Sequence, residues 1–240
     1  MIKNIVGSAV KSFIVGSGSE AEDEPYSYML DDNPLGFWTL NEDYSSDATN
    51  LADPGTLDGT IGSAATFETD LDGIFTDGVY GFTGEVVNSM IQIGNDVSVQ
   101  LTEGTIEAWV NTTDAGSSYR GIFVKQGAFG LFMVNNVLAT YDSTAGALRS
   151  TGVSIDDGDW HHIAMTFTSG VTNGAKVYLD GVLSLTTRIE VKYTDRSLNI
   201  GTGSFGGATE RFIGQIARPA IFSSILSPSQ ILAHSNNPPT

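Results

Sequence analysis

Apolar and polar residues alternate over short stretches along most of this chain, and clusters of Gly, Asn, Asp and Ser separate the stretches. The clearest stretch is Thr105-Ile106-Glu107-Ala108-Trp109-Val110-Asn111. Ile106, Ala108 and Val110 fall on one face, Glu107 and Trp109 on the other. A period of two sends successive side chains to opposite faces, so this pattern predicts a half-buried strand. Residues 163–167 and 176–179 alternate in the same way around a loop rich in Gly and Asn, which predicts an antiparallel hairpin. Shorter bursts recur at 35–40, 59–67, 79–82, 90–93, 122–124, 130–134, 137–141, 198–201 and 212–222. Roughly a dozen short strands at this spacing predict an all-β fold, a two-sheet antiparallel sandwich. Ser227 before Pro228 marks the start of one short closing helix over 227–234.

The first 24 residues have a different pattern. Ile2, Ile5, Val6, Val10 and Phe13 recur at helical spacing, with Lys3, Asn4, Ser8 and Lys11 opposite them. Two readings stand for this segment, an amphipathic docking arm and a secretory signal. Lys11 interrupts the apolar run, and no small-x-small cleavage site follows, which favours the arm. Gly16-Ser17-Gly18-Ser19 reads as a flexible linker and residues 20–24 as a solvated acidic run. The chain therefore divides into an arm and linker over 1–24, a β domain over 25–235 and a tail over 236–240.

Composition narrows the function. The 28 acidic and 11 basic residues give a formal net charge of −17, unsuited to a nucleic-acid backbone or an anionic membrane surface. There is no cysteine, so disulfides, thiolate zinc sites and thiol nucleophiles are excluded. No stretch approaches the roughly twenty apolar residues of a membrane span.

Six blocks in order carry a family resemblance: FWTLNE (37–42), GTIEAWVN (104–111), DGDWHHIAMTF (157–167), VYLDGVL (177–183), LNIG (198–201) and FIGQIARPAIFSSILSPSQI (212–231). Together they resemble a laminin G-like domain of the concanavalin A-like lectin/glucanase superfamily, in its pentraxin and bacterial LamG branch. The entry over residues 26–38 is similar to that of LamG domains on bacteriophage structural proteins. The resemblance implies a jelly-roll sandwich that binds glycans or proteins, sometimes with calcium, and usually without catalysis. It implies a non-enzymatic virion component, a head decoration or tail fibre, docked on other virion proteins and homo-oligomeric (trimeric by analogy). The alternative is a secreted or cell-surface carbohydrate-binding module, and a glycoside hydrolase ranks third.

The candidate chemistry follows from the loops. Trp160-His161-His162 invites a metal or catalytic reading, but adjacent strand residues point to opposite faces and so do not share one metal. Glu20, Glu22 and Glu24 have the alternation of glucanase acids, but no apolar residues between them anchor a strand. Calcium needs oxygen ligands from turns, for which Asn95, Asp96, Asp156 and Asp157 are the candidates, with Asp114 and Asp159 near by. The resemblance places Trp38, Trp109 and Trp160 in the core. Tyr119, Arg120, Tyr141 and Phe205 are then the candidates for glycan contact.

Overall fold

The computed structural model describes residues 26–40, 47–69, 78–83, 88–116, 119–192, 194–203 and 210–236. The arm, with Ile2, Ile5, Val6, Val10 and Phe13, lies outside the described residues, as does Phe205. A short helix, α1 (Ser27–Leu30), precedes strands β1 (Gly36–Phe37), β2 (Asp47–Ala48), β3 (Gly59–Ile61), β4 (Ala65–Thr69), β5 (Gly78–Thr83) and β6 (Ile91–Gly94). Past a 3-10 turn at Val97–Val99 come β7 (Glu103–Asn111), β8 (Tyr119–Lys125), β9 (Phe129–Val134), β10 (Val137–Asp142) and β11 (Ala147–Ser154). Strands β12 (Trp160–Thr168), β13 (Ala175–Leu179), β14 (Val182–Thr187), β15 (Leu198–Ile200) and β16 (Ile213–Phe222) follow, and α2 (Pro228–Asn236) closes the domain.

These strands form two antiparallel sheets, the sandwich that the alternation predicts and of the jelly-roll class that the resemblance implies. The first runs β14-β13-β12-β7-β16-β5-β4, with β1 beside β16, and the second runs β11-β10-β9-β8-β15-β6-β3-β2. The expected hairpin is β12–β13, with Ile163 opposite Leu179 and Phe167 opposite Ala175. Ile106, Ala108 and Val110 of β7 and Ile163, Met165 and Phe167 of β12 pack between the sheets against Leu131, Met133 and Ile200. Burial of such side chains is the main favourable term, each contributing about 1.5–3 kcal/mol. Three strands escape the alternation argument, the two-residue β2 and the longer β11 and β14. β11 and β14 form one edge of each sheet and leave much of their length exposed, so the core presses on them little, through Leu185 of β14. Among the described residues no helix is long and apolar enough to cross a membrane.

The outer face of the first sheet is also buried. Ala164, Tyr178, Ala220 and Phe222 face outward there and pack against Met29 of α1 and Ile231 of α2. Helix α2 begins with a capping box. The Ser227 backbone N–H donates to Gln230 Oε1 (2.9 Å), and the Gln230 N–H donates to Ser227 Oγ (3.3 Å). A bulge between Ala217 and Ala220 shifts the register of β16 against β7, and Arg218 sits there at a φ of 50°. Arg218 donates to the Tyr28 hydroxyl (3.1 Å) and lies 4.8 Å from the centre of the Tyr26 ring. Bulge and cation together fasten the segment around α1 to the sheet.

Under α2 lies a buried polar chain. Glu107 is fully buried on the outer face of β7, and His234 Nδ1 donates to its Oε1 at 2.8 Å. The other ring nitrogen of His234 donates to Asp32 Oδ2 (3.0 Å) and the Tyr28 carbonyl (3.1 Å). Burial opposes charge on His234, but the hydrogen bond and charge of Glu107, with Asp32 behind them, raise its pKa. Removing one partner of such a pair leaves the other charge buried and uncompensated. His234→Ala is therefore expected to lower the unfolding free energy by about 3–5 kcal/mol. Urea unfolding beside Leu232→Ala, an exposed change on the same helix, checks this; equal midpoints for the two variants would refute it.

Candidate functional site

The two adjacent histidines do point to opposite faces. His162 is buried on the outer face of the first sheet, 3.7 Å from Glu107 Oε2, with its ring edge-to-face on Trp109 at 5.3 Å. Burial lowers its pKa, so it stays neutral. His161 instead lies between two loop carboxylates, Asp180 Oδ2 at 2.9 Å and Asp157 Oδ1 at 3.1 Å. The hydrogen bond it donates to Asp180, partly opposed by burial and helped by Asp157, raises its pKa to about 9. The pair braces the start of β12: Asp180 Oδ1 also accepts the His162 backbone N–H at 2.8 Å. Trp38 is in the main core, whereas Trp109 and Trp160 form a separate buried cluster with Ala217. None of the three tryptophans offers an open face for stacking.

Three of the four calcium candidates, Asn95, Asp96 and Asp157, meet donors of the chain itself. Asn95 Oδ1 accepts from the buried Lys125 ammonium at 2.5 Å, and Asp96 caps the 3-10 turn through the Ser98 N–H (2.8 Å) and hydroxyl (2.7 Å). Asp157 accepts the Asp159 N–H (3.0 Å) as well as His161. Asp156 lies on the same turn before β12. Asp114 holds Arg120. Among the described residues no three His or acidic side chains gather as a metal would require. Lys125, the Ser98 and Asp159 N–H groups and His161 thus engage oxygens of Asn95, Asp96 and Asp157.

The glycan candidates divide. On β9, Leu131 and Met133 face the core, so Phe132 faces outward; on β10, Leu138 faces in and Tyr141 out. Tyr119 of β8 meets both aromatics edge-to-face, with centroids 6.3 Å from Phe132 and 6.2 Å from Tyr141. These three rings from neighbouring strands wall an open pocket of about 350 Å³ on the outer face of the second sheet. Gln126, Gly127, Gly203 and Glu210 complete its described lining. Arg120 is not part of it, because its guanidinium is held by Asp114 Oδ2 at 2.9 Å.

Glu210 is fixed by its backbone. Its carbonyl accepts the N–H groups of Gly121 (3.0 Å) and Gly203 (2.9 Å), which sets its side chain at the pocket. Gly203 permits this closure: a Cβ there would lie 2.8 Å from Glu210 Oε2 and 2.9 Å from Phe132 Cε1. Burial raises the pKa of Glu210. Sequence reasoning missed Phe132, Gln126, Gly203 and Glu210. The available signal was the Gly-rich run 201–207 followed by a single acid, which by itself reads as a hairpin loop.

The family model Laminin_G_3, concanavalin A-like lectin/glucanases superfamily, matches residues 83–232. The chain belongs to this superfamily. The sushi, von Willebrand factor type A, EGF and pentraxin domain-containing protein 1 of Rattus norvegicus is 33% identical over 96 residues, 32% of this chain. Its Mus musculus counterpart is 34% identical over 96 residues. The chain spans about 2% of the length of these relatives.

Solved structures share the fold of this superfamily member. The binding domain of Paraclostridial Mosquitocidal Protein 1 matches with a TM-score of 0.66 at 13% identity, over 87% of this chain and 53% of that one. Domain 4 of AbnA, an extracellular arabinanase from Geobacillus stearothermophilus solved with arabinotriose, matches with a TM-score of 0.61 at 17% identity, over 85% and 98%. A Trypanosoma rangeli sialidase in complex with sialic acid matches with a TM-score of 0.64 at 14% identity, over 85% and 33%.

The His161 cluster generates a pH prediction. A folded pKa of about 9 against an ordinary 6.5 gives stability that is complete below about pH 6.5 and lost as pH rises through 9. The gap in unfolding free energy between the wild type and His161→Ala should therefore shrink between those values. Denaturant titrations from pH 6 to 10 check it, and a constant gap would refute it.

Proposed function

We propose that this protein is a non-enzymatic recognition module that binds glycans in the pocket of Tyr119, Phe132 and Tyr141. The observation that carries the reading is the convergence of three aromatic side chains from adjacent strands on one open pocket. Aromatic faces suit the C–H faces of sugar rings, and a few convergent polar groups suit their hydroxyls. Membership of a lectin/glucanase superfamily supports it, as does the likeness to a domain solved with arabinotriose. Hydrolysis by the usual glycosidase route needs two carboxyls flanking the bond, and Glu210 is the one acid in the described lining. Tyr119→Ala and Tyr141→Ala are each expected to weaken binding by at least about tenfold. Titration of a neutral oligosaccharide panel checks this, and unchanged affinity in both variants would remove the pocket from the reading.

The finer part of the proposal is display on a virion, as a head decoration or tail fibre, anchored through residues 1–24. It is supported by the apolar face of Ile2, Ile5, Val6, Val10 and Phe13, by the linker after it, and by the phage-like entry over 26–38. Deleting 1–24 should leave the unfolding midpoint of the sandwich unchanged and abolish incorporation into particles; normal incorporation would refute anchoring by the arm. The likeness to a domain of an extracellular arabinanase favours a second reading, a secreted module. An intact mass showing a cleaved N-terminus on the natural protein would select it.

A further inference from the structure

We propose that the pocket takes the neutral, hydroxyl-rich part of a glycan and turns away sugars bearing carboxylate or sulfate, with Glu210 as the specificity residue. The inference rests on the glycan-binding reading above and adds the chemical class of ligand. Its ground is the charge of the lining. Glu210 is the sole Asp, Glu, Lys or Arg among the described lining residues; the other titratable groups facing it are the phenols of Tyr119 on β8 and Tyr141 on β10.

None of the cations next to a described lining residue in sequence is itself part of that lining. The Arg120 guanidinium is held by Asp114 at 2.9 Å. The Lys125 ammonium meets Asn95 Oδ1 and the carbonyl oxygens of Thr194 and Arg196. Arg211, next to Glu210 in sequence, is fully buried and donates to the Ser89 carbonyl at 3.3 Å. The stretches beside the pocket residues that lie outside the described residues, 117–118 and 204–209, read SS and SFGGAT and contain no charge. A net charge of −17 adds long-range repulsion of the same sign.

The carboxyl itself is available to a ligand. Its backbone is pinned by Gly121 and Gly203, whereas no described residue donates a hydrogen bond to its side-chain oxygens. A carboxylate accepts strongly from sugar hydroxyls, and at the same distance it repels an anionic substituent. Partial burial removes much of the water that would screen that repulsion, and it favours the neutral acid as pH falls. Selection against anions is therefore strongest at neutral and alkaline pH and relaxes in acid.

The test uses the full chain, calorimetric titration and matched ligands. Arabino-, xylo-, gluco- and galacto-oligosaccharides and N-acetylglucosamine oligomers are compared with uronic-acid and sulfated counterparts. The wild type at about pH 7.5 is expected to prefer the neutral member by at least about tenfold. Glu210→Gln should weaken neutral binding several-fold and reduce the preference by about tenfold. Lowering the pH should shrink the preference over the sulfated ligand, whose charge is fixed, in the wild type and not in the variant. Equal or better binding of the acidic members, or an unchanged preference in Glu210→Gln, would overturn the inference and leave glycan binding standing. Binding to no sugar would overturn both.

Discussion

One buried carboxylate constrains how this domain is closed. Glu107 lies on the central strand β7 of the first sheet, on the face turned away from the core, with no access to water. A charge there costs several kcal/mol unless donors come to it. The donor is His234, near the end of α2, and His234 is held in turn by Asp32 and the Tyr28 carbonyl. Gln230 of the same helix reaches Asp32 as well, at 2.6 Å. Residues some 200 positions apart in sequence thus meet over one acid. The helix is an electrostatic necessity of the strand beneath it as much as an apolar lid.

What the sequence made legible follows the reach of each physical signal. Alternation along β7 and β12 is a local property, so the inward faces of Ile106, Ala108, Val110, Ile163, Met165 and Phe167 could be read directly. The opposite orientations of His161 and His162 follow from the same parity. The partners of those histidines could not be read, because Asp180 and Glu107 are brought to them by strand pairing. The edge strands β11 and β14 lack a buried face and so lack the signal. The bulge at Arg218 sits inside a run that looks like an uninterrupted strand, with Pro219 the one hint of a break in the ladder.

The pocket shows the same limit. Tyr119 and Tyr141 were legible as aromatics outside the family's core blocks, and the structure brings them together. Arg120 was not separable from them by sequence, because its neutralisation by Asp114 depends on the fold. Glu210 was invisible for a related reason. An acid after a Gly-rich loop is ordinary, and its placement comes from two backbone hydrogen bonds made by Gly121 of strand β8 and by Gly203, three residues past β15. The make-up of the pocket is thus a property of chain closure more than of any motif.

The sandwich also has a front and a back. Tyr26, Tyr28 and α2 cover the outer side of one sheet, while the rings of Tyr119, Phe132 and Tyr141 open on the outer side of the other. Tyr26, the first described residue, packs on Phe37 and Arg218 at the back. Copies set side by side on their back faces would all turn these three rings outward. In such an array, under the glycan-binding proposal, neighbouring copies would grip successive units of one polymer, so that number would add to the strength of each pocket.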